Sequence, residues 1–320
     1  MTIPHTLTAP TAVPLATWTS QHADQVDQAL AATGAVLLRG FTVSGPKEFG
    51  HAVHPFLGNF MPYVHGASPR TPVTEGVYTS TEWDSTQDIP PHHELAYSPL
   101  WPARIAFYCA QPPAAGHGGQ TPLVDGRTVF TRVTAATGEI PDQVTYIRHQ
   151  SGADGPGISW RQSFGTDDKD EISRYCAEHG LDHAWLPDDT LRTTQSLPTA
   201  IHHPVTGEPV WFNQMHLWHA SHGGPDREEL WRDLFGDQLP MHACTGAGAG
   251  VEIPAELLTL TRTVLREEAH QFDWQLGDVL LLDNMLTAHG RRAFHGERTI
   301  LVAMGGPVAV ADVKAVTFRA

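Results

Sequence analysis

Apolar residues that recur every three to four positions predict several helices. In the first, Val26 and Leu30 share one face, Ser20 can cap the start and Gly34 can end it. Further helices are predicted at 169–179, at 225–235 and from 254 onward. Asp168 is a suitable cap for the second of these, and proline is favoured in the first turn of the other two.

Shorter apolar runs bounded by turn residues predict strands. They lie at 35–38, 105–109, 209–212, 279–283 and 299–304. The 25 prolines and 29 glycines suit many short strands joined by turns. We therefore expect a mainly β protein with surrounding helices, an α+β fold whose core is a β-sandwich or barrel.

Composition and charge narrow the class of protein. With 320 residues, 41% of them hydrophobic and 17% charged, the chain can form a soluble globular fold of one domain or two. Its formal net charge of −15 argues against nucleic acid and against an anionic membrane surface as partners. We find no internal repeat, and no apolar run is long enough to span a bilayer.

The cysteines and the first residues bear on the cellular compartment. Cys109, Cys176 and Cys244 are odd in number, widely spaced and without a C-x-x-C pair. This usage favours a reducing environment over a disulfide framework or a thiolate zinc site. Residues 1–10 lack the basic stretch and apolar run of a signal peptide, so we expect a cytoplasmic protein.

The strongest candidate chemistry lies in the sequence IPPHHE at 89–94. The chain has 20 histidines, so their positions must select the functional ones. The two prolines favour extended geometry here, and in an extended chain His92 and Glu94 project to one face while His93 points away. One imidazole and one carboxylate make two-thirds of the 2-His-1-carboxylate triad, which binds Fe(II) and leaves positions open for co-substrate and O₂.

Two other H-x-D/E patterns are better explained as surface residues. His22 and Asp24 lie on the first predicted helix, about 200° apart around its axis, and cannot chelate one ion there. His295 and Glu297 have no histidine after them, so any third ligand would have to come from earlier in the chain.

The chain after the predicted strand 279–283 supplies a candidate third ligand. The strand is followed by a turn and then by His289. Nine residues later, Arg298 lies at the start of the next predicted strand, 299–304. Beside an iron site, an arginine can bind a dicarboxylate through two parallel hydrogen bonds, a geometry that lysine cannot match. Alone, His289 would be an ordinary loop residue and Arg298 an ordinary surface charge. Together with His92 and Glu94 they indicate a site for iron and a dicarboxylate.

Several motifs together carry a family resemblance. They are SPR at 68–70, VYTSTE at 77–82, HHE at 92–94, GGQT at 118–121, WFNQMH at 211–216, and DN at 283–284 followed by His289 and Arg298. In these motifs the chain resembles the taurine dioxygenase-like (TauD/TfdA) Fe(II)/2-oxoglutarate oxygenases, most nearly the secondary-metabolism branch with the syringomycin-type aspartyl hydroxylase. The resemblance extends from about residue 35 to residue 304.

The resemblance implies both a fold and a set of ligands. The fold would be a double-stranded β-helix, or jelly-roll, core in one domain over residues 1–320. A long insertion at roughly 150–270, before the distal histidine, would cover the active site. His92, Glu94 and His289 would bind Fe(II). Thr121 and Arg298 would bind the far carboxylate of 2-oxoglutarate, which suits a group that is costly to bury unpaired.

Two positions bear on the reaction that the resemblance implies. Relatives that use sulfonates have a second arginine four residues after the clamp arginine, where this chain has Val302, so a taurine-like substrate is not expected. Halogenating relatives replace the carboxylate ligand by a small residue. Because Glu94 is present, hydroxylation or desaturation is expected.

Candidate substrate-binding residues are polar side chains that could reach the same pocket. They are Arg70, Ser80, Arg161, Asn213, Gln214, His216 and Arg291. The group at 213–216 could equally form a turn with local hydrogen bonds. His216, His219 and His222 also suggest a zinc site, although on a helix the first and last would be about 120° apart.

The leading interpretation is a dioxygenase that uses Fe(II), 2-oxoglutarate and O₂. It would hydroxylate or desaturate a C–H bond of a small amino-acid-like substrate, free or bound to a peptidyl carrier protein, in natural-product biosynthesis. The alternatives are a catabolic dioxygenase acting on a small carboxylate or ether, a zinc-dependent hydrolase using His216, His219 and a carboxylate, and an inactive jelly-roll binding protein. The sequence leaves open whether the protein is a homo-oligomer.

Overall fold

The computed structural model describes residues 3–153, 155, 157–246 and 250–318. Within these residues the helices are α1 (Leu15–Thr33), α2 (Pro46–Leu57), α3 (Gly126–Ala136), α4 (Trp160–Phe164), α5 (Lys169–Glu178), α6 (Met215–Trp218), α7 (Pro225–Phe235) and α8 (Ala255–Glu267). The strands are β1 (His5–Thr8), β2 (Ala35–Arg39), β3 (Pro72–Thr74), β4 (Val77–Thr79), β5 (Ile89–His92), β6 (Leu100–Gln111), β7 (Leu123–Asp125), β8 (Gln143–Gln150), β9 (Asp182–Trp185), β10 (Leu191–Pro198), β11 (Ala200–His202), β12 (Pro209–Trp211), β13 (Met241–Cys244), β14 (Val279–Asp283), β15 (Thr287–Arg291), β16 (Thr299–Ala309) and β17 (Lys314–Ala315). Two short 3-10 turns span Ala220–Gly223 and Val310–Asp312.

A seven-stranded sheet forms one side of the core, in the order β1-β2-β14-β6-β16-β4-β3. Its centre is β6, which pairs antiparallel with β14 and β16. Along β6, Ala106 and Tyr108 face α1 and α2, whereas Ile105 and Phe107 belong to the apolar cluster on the opposite face. This alternation of side chains is what a sheet covered on both faces requires.

A second, three-stranded sheet carries the predicted ligand strands. In it β15 pairs antiparallel with β5 on one side and β7 on the other. Leu123 of β7 packs in one cluster with Leu280 and Val302 of the large sheet. The two sheets therefore enclose a shared apolar interior, the arrangement expected of a jelly-roll core.

The predicted N-terminal helix is longer than the apolar pattern indicates. It begins at Leu15, and Ser20 lies inside it with its hydroxyl donating to the Thr17 carbonyl, so the prediction that Ser20 caps the helix is wrong. Backbone geometry departs from helical at His22, which interrupts the periodicity there. Gly34 ends the helix as predicted, with a left-handed φ of 74°.

The chain between β7 and β14 forms helices α3 to α8 and supplies most of two further sheets, β13-β8-β10-β9 and β12-β11-β17. A buried cluster that includes Trp101, Trp211 and Trp218 joins these elements to the core. The predicted insertion at roughly 150–270 falls within this part, and its role as a cover remains a prediction. No helix in the described ranges is both long and apolar enough to cross a membrane.

Candidate metal centre

The two histidines lie side by side because β5 and β15 pair. The register places His289 opposite His92, and their ring centroids are 4.8 Å apart. Nδ1 of His92 is 2.9 Å from the Pro90 carbonyl, so it acts as the donor and leaves Nε2 free to bind a metal. Burial lowers the pKa of His289 well below its ordinary value, which keeps this imidazole neutral and able to coordinate.

Gly290 allows this close approach of the two strands. A Cβ at this position would lie 2.3 Å from the Ile89 carbonyl oxygen, closer than any side chain tolerates. The pairing of β5 with β15 is irregular at the same point, between His289 and Arg291. A glycine beside the distal histidine is therefore required by the packing of the ligand strands.

Glu94 reaches the histidines by a different route from the one predicted. β5 ends at His92, so Glu94 lies in the following turn and not on the same strand face, and that part of the prediction is wrong. Hydrogen bonds with the side chain of Asn284, rather than with a neighbouring strand, fix the position of this turn. Its Oδ1 accepts from the Glu94 amide at 2.7 Å, and its Nδ2 donates to the Glu94 carbonyl at 2.9 Å.

The result is a compact group of three possible ligands. Ligand atoms of His92, Glu94 and His289 all lie within 4.8 Å of one another. As predicted, His93 points away, where its Nδ1 lies 2.6 Å from the Asn284 carbonyl and burial lowers its pKa to about 4. Two imidazoles and one carboxylate fit Fe(II) and leave coordination positions open.

Arg70 orients the carboxylate of this group. Its Nη2 donates to Glu94 Oε2 at 2.6 Å, and both side chains are almost completely buried. The guanidinium lies over the ring of Tyr63, 4.5 Å from its centroid. Sequence reasoning missed Tyr63, because nothing near it in the chain connects it with a metal site.

Thr121 and Arg298 lie on the same cleft as the histidines. The Thr121 hydroxyl accepts from Nε1 of Trp274 at 3.1 Å, a contact that no motif indicated. Nε of Arg298 donates to the Gly119 carbonyl at 3.0 Å. Burial lowers the pKa of Arg298 to about 10, so the guanidinium remains charged at neutral pH and can bind an anion.

The cleft lies directly beside the two histidines of the candidate metal centre. It is lined by Arg70, Ser80, Thr81, Ile89, His92, Phe107, Thr121, His289, Gly290, Arg291, Arg298 and Ile300. Among the substrate-binding candidates, Arg70, Ser80 and Arg291 therefore line the cleft. Arg291 also holds the loop beside the cleft, because its guanidinium donates to the carbonyls of Trp83, Asp84 and Gln87.

The candidates at 213–216 lie behind the ligand strand and do not line the cleft. The side-chain amide of Gln214 donates to the His93 carbonyl at 2.5 Å, and Nε2 of His216 lies 3.0 Å from the Pro91 carbonyl. Asn213 donates to the Thr199 carbonyl and accepts from the Met215 amide. These contacts are structural, but only the bond from Met215 to Asn213 is local as the alternative interpretation expected, because His93 and Pro91 lie 121 and 125 residues from their partners.

Arg161 is not brought to the cleft either. Its guanidinium lies over the ring of Trp160, 3.9 Å from the centroid, and contacts Gly152, Asp167 and Asp189. The ion pairs tie α4 to the loops around it. The structure therefore does not place Arg161 at the candidate site.

The histidines of the proposed zinc site do not share a helix. α6 ends at Trp218, so His216 and His219 face different partners. Nε2 of His219 is 2.8 Å from the Glu252 carboxylate, and these two residues form a second group of possible ligands with His242. Arg232 bonds the same carboxylate at 3.2 Å, so an ion-pair network accounts for the arrangement.

The rival H-x-D/E patterns behave as surface residues. On α1, Nδ1 of His22 lies 2.9 Å from the Trp18 carbonyl and its ring stacks on the indole of Trp18. Glu297 is exposed and accepts from the side chain of Gln111. At the position where sulfonate users have an arginine, Val302 is buried in the apolar interior.

Comparison with known proteins shows which family the chain matches. The family described as "Taurine catabolism dioxygenase TauD, TfdA family" matches residues 3–304. The dapdiamide synthesis protein DdaC of Enterobacter agglomerans is 36% identical over 286 residues, covering 88% of this chain and 85% of that protein. A clavaminate synthase-like protein of Arabidopsis thaliana is 33% identical over 289 residues, covering 87% of this chain and 83% of that protein.

A solved structure shows the same fold. PvcB, described as an Fe, alpha-ketoglutarate dependent oxygenase from an isonitrile synthetic pathway, matches with a TM-score of 0.55 at 14% identity. The match covers 97% of this chain and 90% of that one, and it confirms the predicted jelly-roll core with surrounding helices. This chain belongs to the TauD/TfdA family and is an Fe(II)- and 2-oxoglutarate-dependent dioxygenase.

Proposed function

We propose that the protein binds Fe(II) through His92, Glu94 and His289 and hydroxylates or desaturates an unactivated C–H bond of a small amino-acid-like substrate. The observation that carries the proposal is the convergence of these three side chains, whose ligand atoms lie within 4.8 Å of one another, beside the cleft that Thr121 and Arg298 line. When bound, Fe(II) with 2-oxoglutarate and O₂ supplies the oxidising power to remove hydrogen from such a bond.

The protein's own residues position the reactants and exclude water. Arg298 and Thr121 bind the far carboxylate of 2-oxoglutarate, one by charge and the other by a hydroxyl that Trp274 orients. Arg70 and the hydrogen bond from His92 to Pro90 fix the ligand side chains. Phe107 and Ile300 form apolar walls of the cleft, which limit the access of water to the reacting atoms.

The relatives support a role in natural-product biosynthesis. DdaC is by its name a dapdiamide synthesis protein, and it is 36% identical to this chain over 286 aligned residues. We propose the same kind of pathway here, with an amino-acid-like substrate that is free or carried on a peptidyl carrier protein. Cytoplasmic location and a homo-oligomeric state remain predictions.

The proposal is tested by adding Fe(II) and 2-oxoglutarate without air and measuring the weak visible charge-transfer band. We expect the band in the natural protein and its loss in His289→Ala, because two ligands cannot hold the complex. His295→Ala, on an exposed loop, is the matched control and should keep the band. Succinate formation is then screened with amino acids, free and carrier-bound, and a protein without band or succinate would contradict the proposal.

A further inference from the structure

Arg70 is a buried charge with unused hydrogen-bonding capacity. Only 3% of its side chain is exposed, yet Nε and Nη1 are buried without a well-formed hydrogen bond, the Tyr63 hydroxyl being a polar neighbour of the guanidinium besides Glu94. The ion pair with Glu94 uses Nη2 alone. Since buried donors on a charged group are costly to leave unpaired, the free donors indicate a ligand group that completes them.

The guanidinium is also held in a fixed orientation. It packs over Tyr63 on one face, and the bond to Glu94 fixes its rotation in the plane. Nη2 carries two hydrogens, so one full pair of parallel donors remains available beside the ion pair. Because Arg70 lines the cleft with His92 and His289, this pair belongs to a group bound next to the metal centre.

The charges of the cleft favour an anion as that group. Among the described residues that line the cleft there is no carboxylate, whereas three are arginines. Arg298 is the proposed 2-oxoglutarate clamp, and Arg291 has the carboxylates of Asp84 and Asp88 nearby. Glu94 must serve both Arg70 and the iron, so the charge of Arg70 is only partly matched.

We infer that Arg70 binds a carboxylate of the substrate, which makes the substrate a molecule with a free carboxylate held beside the iron. The inference rests on the proposed function, because it places the substrate in the same cleft. A planar guanidinium matches a carboxylate through two parallel hydrogen bonds. A free amino acid offers its α-carboxylate, whereas an amino acid on a carrier thioester offers only a side-chain carboxylate.

The test measures binding without turnover. Protein loaded with Fe(II) and 2-oxoglutarate in the absence of O₂ is titrated calorimetrically with free L-amino acids and with their α-carboxamides. Aspartate and asparagine loaded on a peptidyl carrier protein form a second matched pair, which separates a side-chain carboxylate from an α-carboxylate. We expect the acid of at least one pair to bind at least about tenfold more tightly than the amide.

Variants assign this preference to Arg70. Arg70→Lys keeps a positive charge for Glu94 but lacks the second pair of donors. We expect its preference for the acid to disappear, measured on protein whose charge-transfer band shows that Fe(II) and 2-oxoglutarate are bound. Arg132→Lys, which alters a surface ion pair with Glu267, should keep the preference. If Arg70→Lys loses iron, the comparison of acid and amide in the natural protein decides alone.

Two results would overturn the inference. One is equal behaviour of acids and amides, including no binding of either. The other is loss of 2-oxoglutarate binding in Arg70→Lys with iron retained, which would assign the free donors to the co-substrate. Failure of the proposed function is recognised separately, by the absence of the charge-transfer band in the natural protein.

Discussion

At the scale of single residues, the metal centre depends on a backbone position that has no side chain. Gly290 brings the ligand strands together, and an added Cβ would meet the Ile89 carbonyl at 2.3 Å. We expect Gly290→Ala to push β5 away from β15, separate His92 from His289 and weaken Fe(II) or Mn(II) binding by about tenfold or more. Metal titration by calorimetry measures the effect. Gly138→Ala, where a Cβ meets nothing within 4 Å, is the control, and equal affinities would contradict the role of Gly290.

Trp274 acts on 2-oxoglutarate binding through the hydroxyl of Thr121, which it orients. Trp274 donates to Thr121 Oγ1 at 3.1 Å, which directs the hydroxyl hydrogen elsewhere and lets it reach a carboxylate. In Trp274→Phe we expect the dissociation constant of 2-oxoglutarate to rise about five- to tenfold, equivalent to about 1–1.4 kcal/mol, with iron affinity unchanged. Titration of the charge-transfer band measures this. Trp231→Phe, on α7, should leave the constant unchanged, and a similar rise there would argue against the contact.

At the scale of elements, the helices behind the centre support its strand. His216 of α6 bonds the Pro91 carbonyl of β5, and burial lowers its pKa to about 3. The folded protein therefore holds this histidine neutral, whereas the unfolded chain protonates it near pH 6.5. The contribution to stability is complete above about pH 6.5 and is lost as the pH falls towards 3.

This pH dependence can be measured. Between pH 6 and pH 4 we expect His216 to contribute a slope of up to about 1.4 kcal/mol per pH unit to the free energy of unfolding. His216→Gln keeps a donor for the Pro91 carbonyl but does not titrate, so its unfolding free energy should depend less on pH. Urea unfolding at several pH values gives both slopes, and parallel curves would show that His216 does not titrate as expected.

Elements with strong local signals were predictable from sequence, and those that depend on distant contacts were not. Asp168 caps α5 and Pro225 begins α7, because capping and proline geometry are local. The position of Glu94 depends instead on Asn284, which is 190 residues away in the chain. The prediction therefore named a residue that the structure does bring to the two histidines but gave the wrong local geometry for it, and Tyr63 and Trp274 were missed for the same reason.

At the scale of the whole molecule, one metal ion would connect parts of the chain that are far apart. His92 and Glu94 lie before the long segment between β7 and β14, and His289 follows it. The ion binds the folded state only, so free metal at about 100 times its dissociation constant should stabilise the fold by about 2.7 kcal/mol. We expect thermal unfolding to shift upward by a few degrees when Mn(II) is added to chelator-treated protein. His92→Ala should show no such shift, and an equal shift in both proteins would place the metal elsewhere.

The segment between β7 and β14 contacts the chain around the ligands through hydrogen bonds to backbone carbonyls and through ring contacts such as that of Phe212 with His93. Gln214 and His216 bond the carbonyls of His93 and Pro91, and the residues that line the cleft come from 70–121 and 289–300. Which side chains cover the bound substrate was thus not predictable from the sequence. Only the family resemblance indicated a cover, and that role remains a prediction.

The hydrogen bonds of the Asn284 side chain to the backbone of Glu94 make the metal centre sensitive to deamidation of this one residue. Deamidation to aspartate would exchange the Nδ2 donor for an oxygen and set a negative charge against the carbonyls of Glu94 and Pro102. The side chain is fully buried, so the folded chain protects it from this reaction. This protection is lost whenever the chain unfolds. A molecule that has been deamidated at Asn284 would carry the defect each time it refolds.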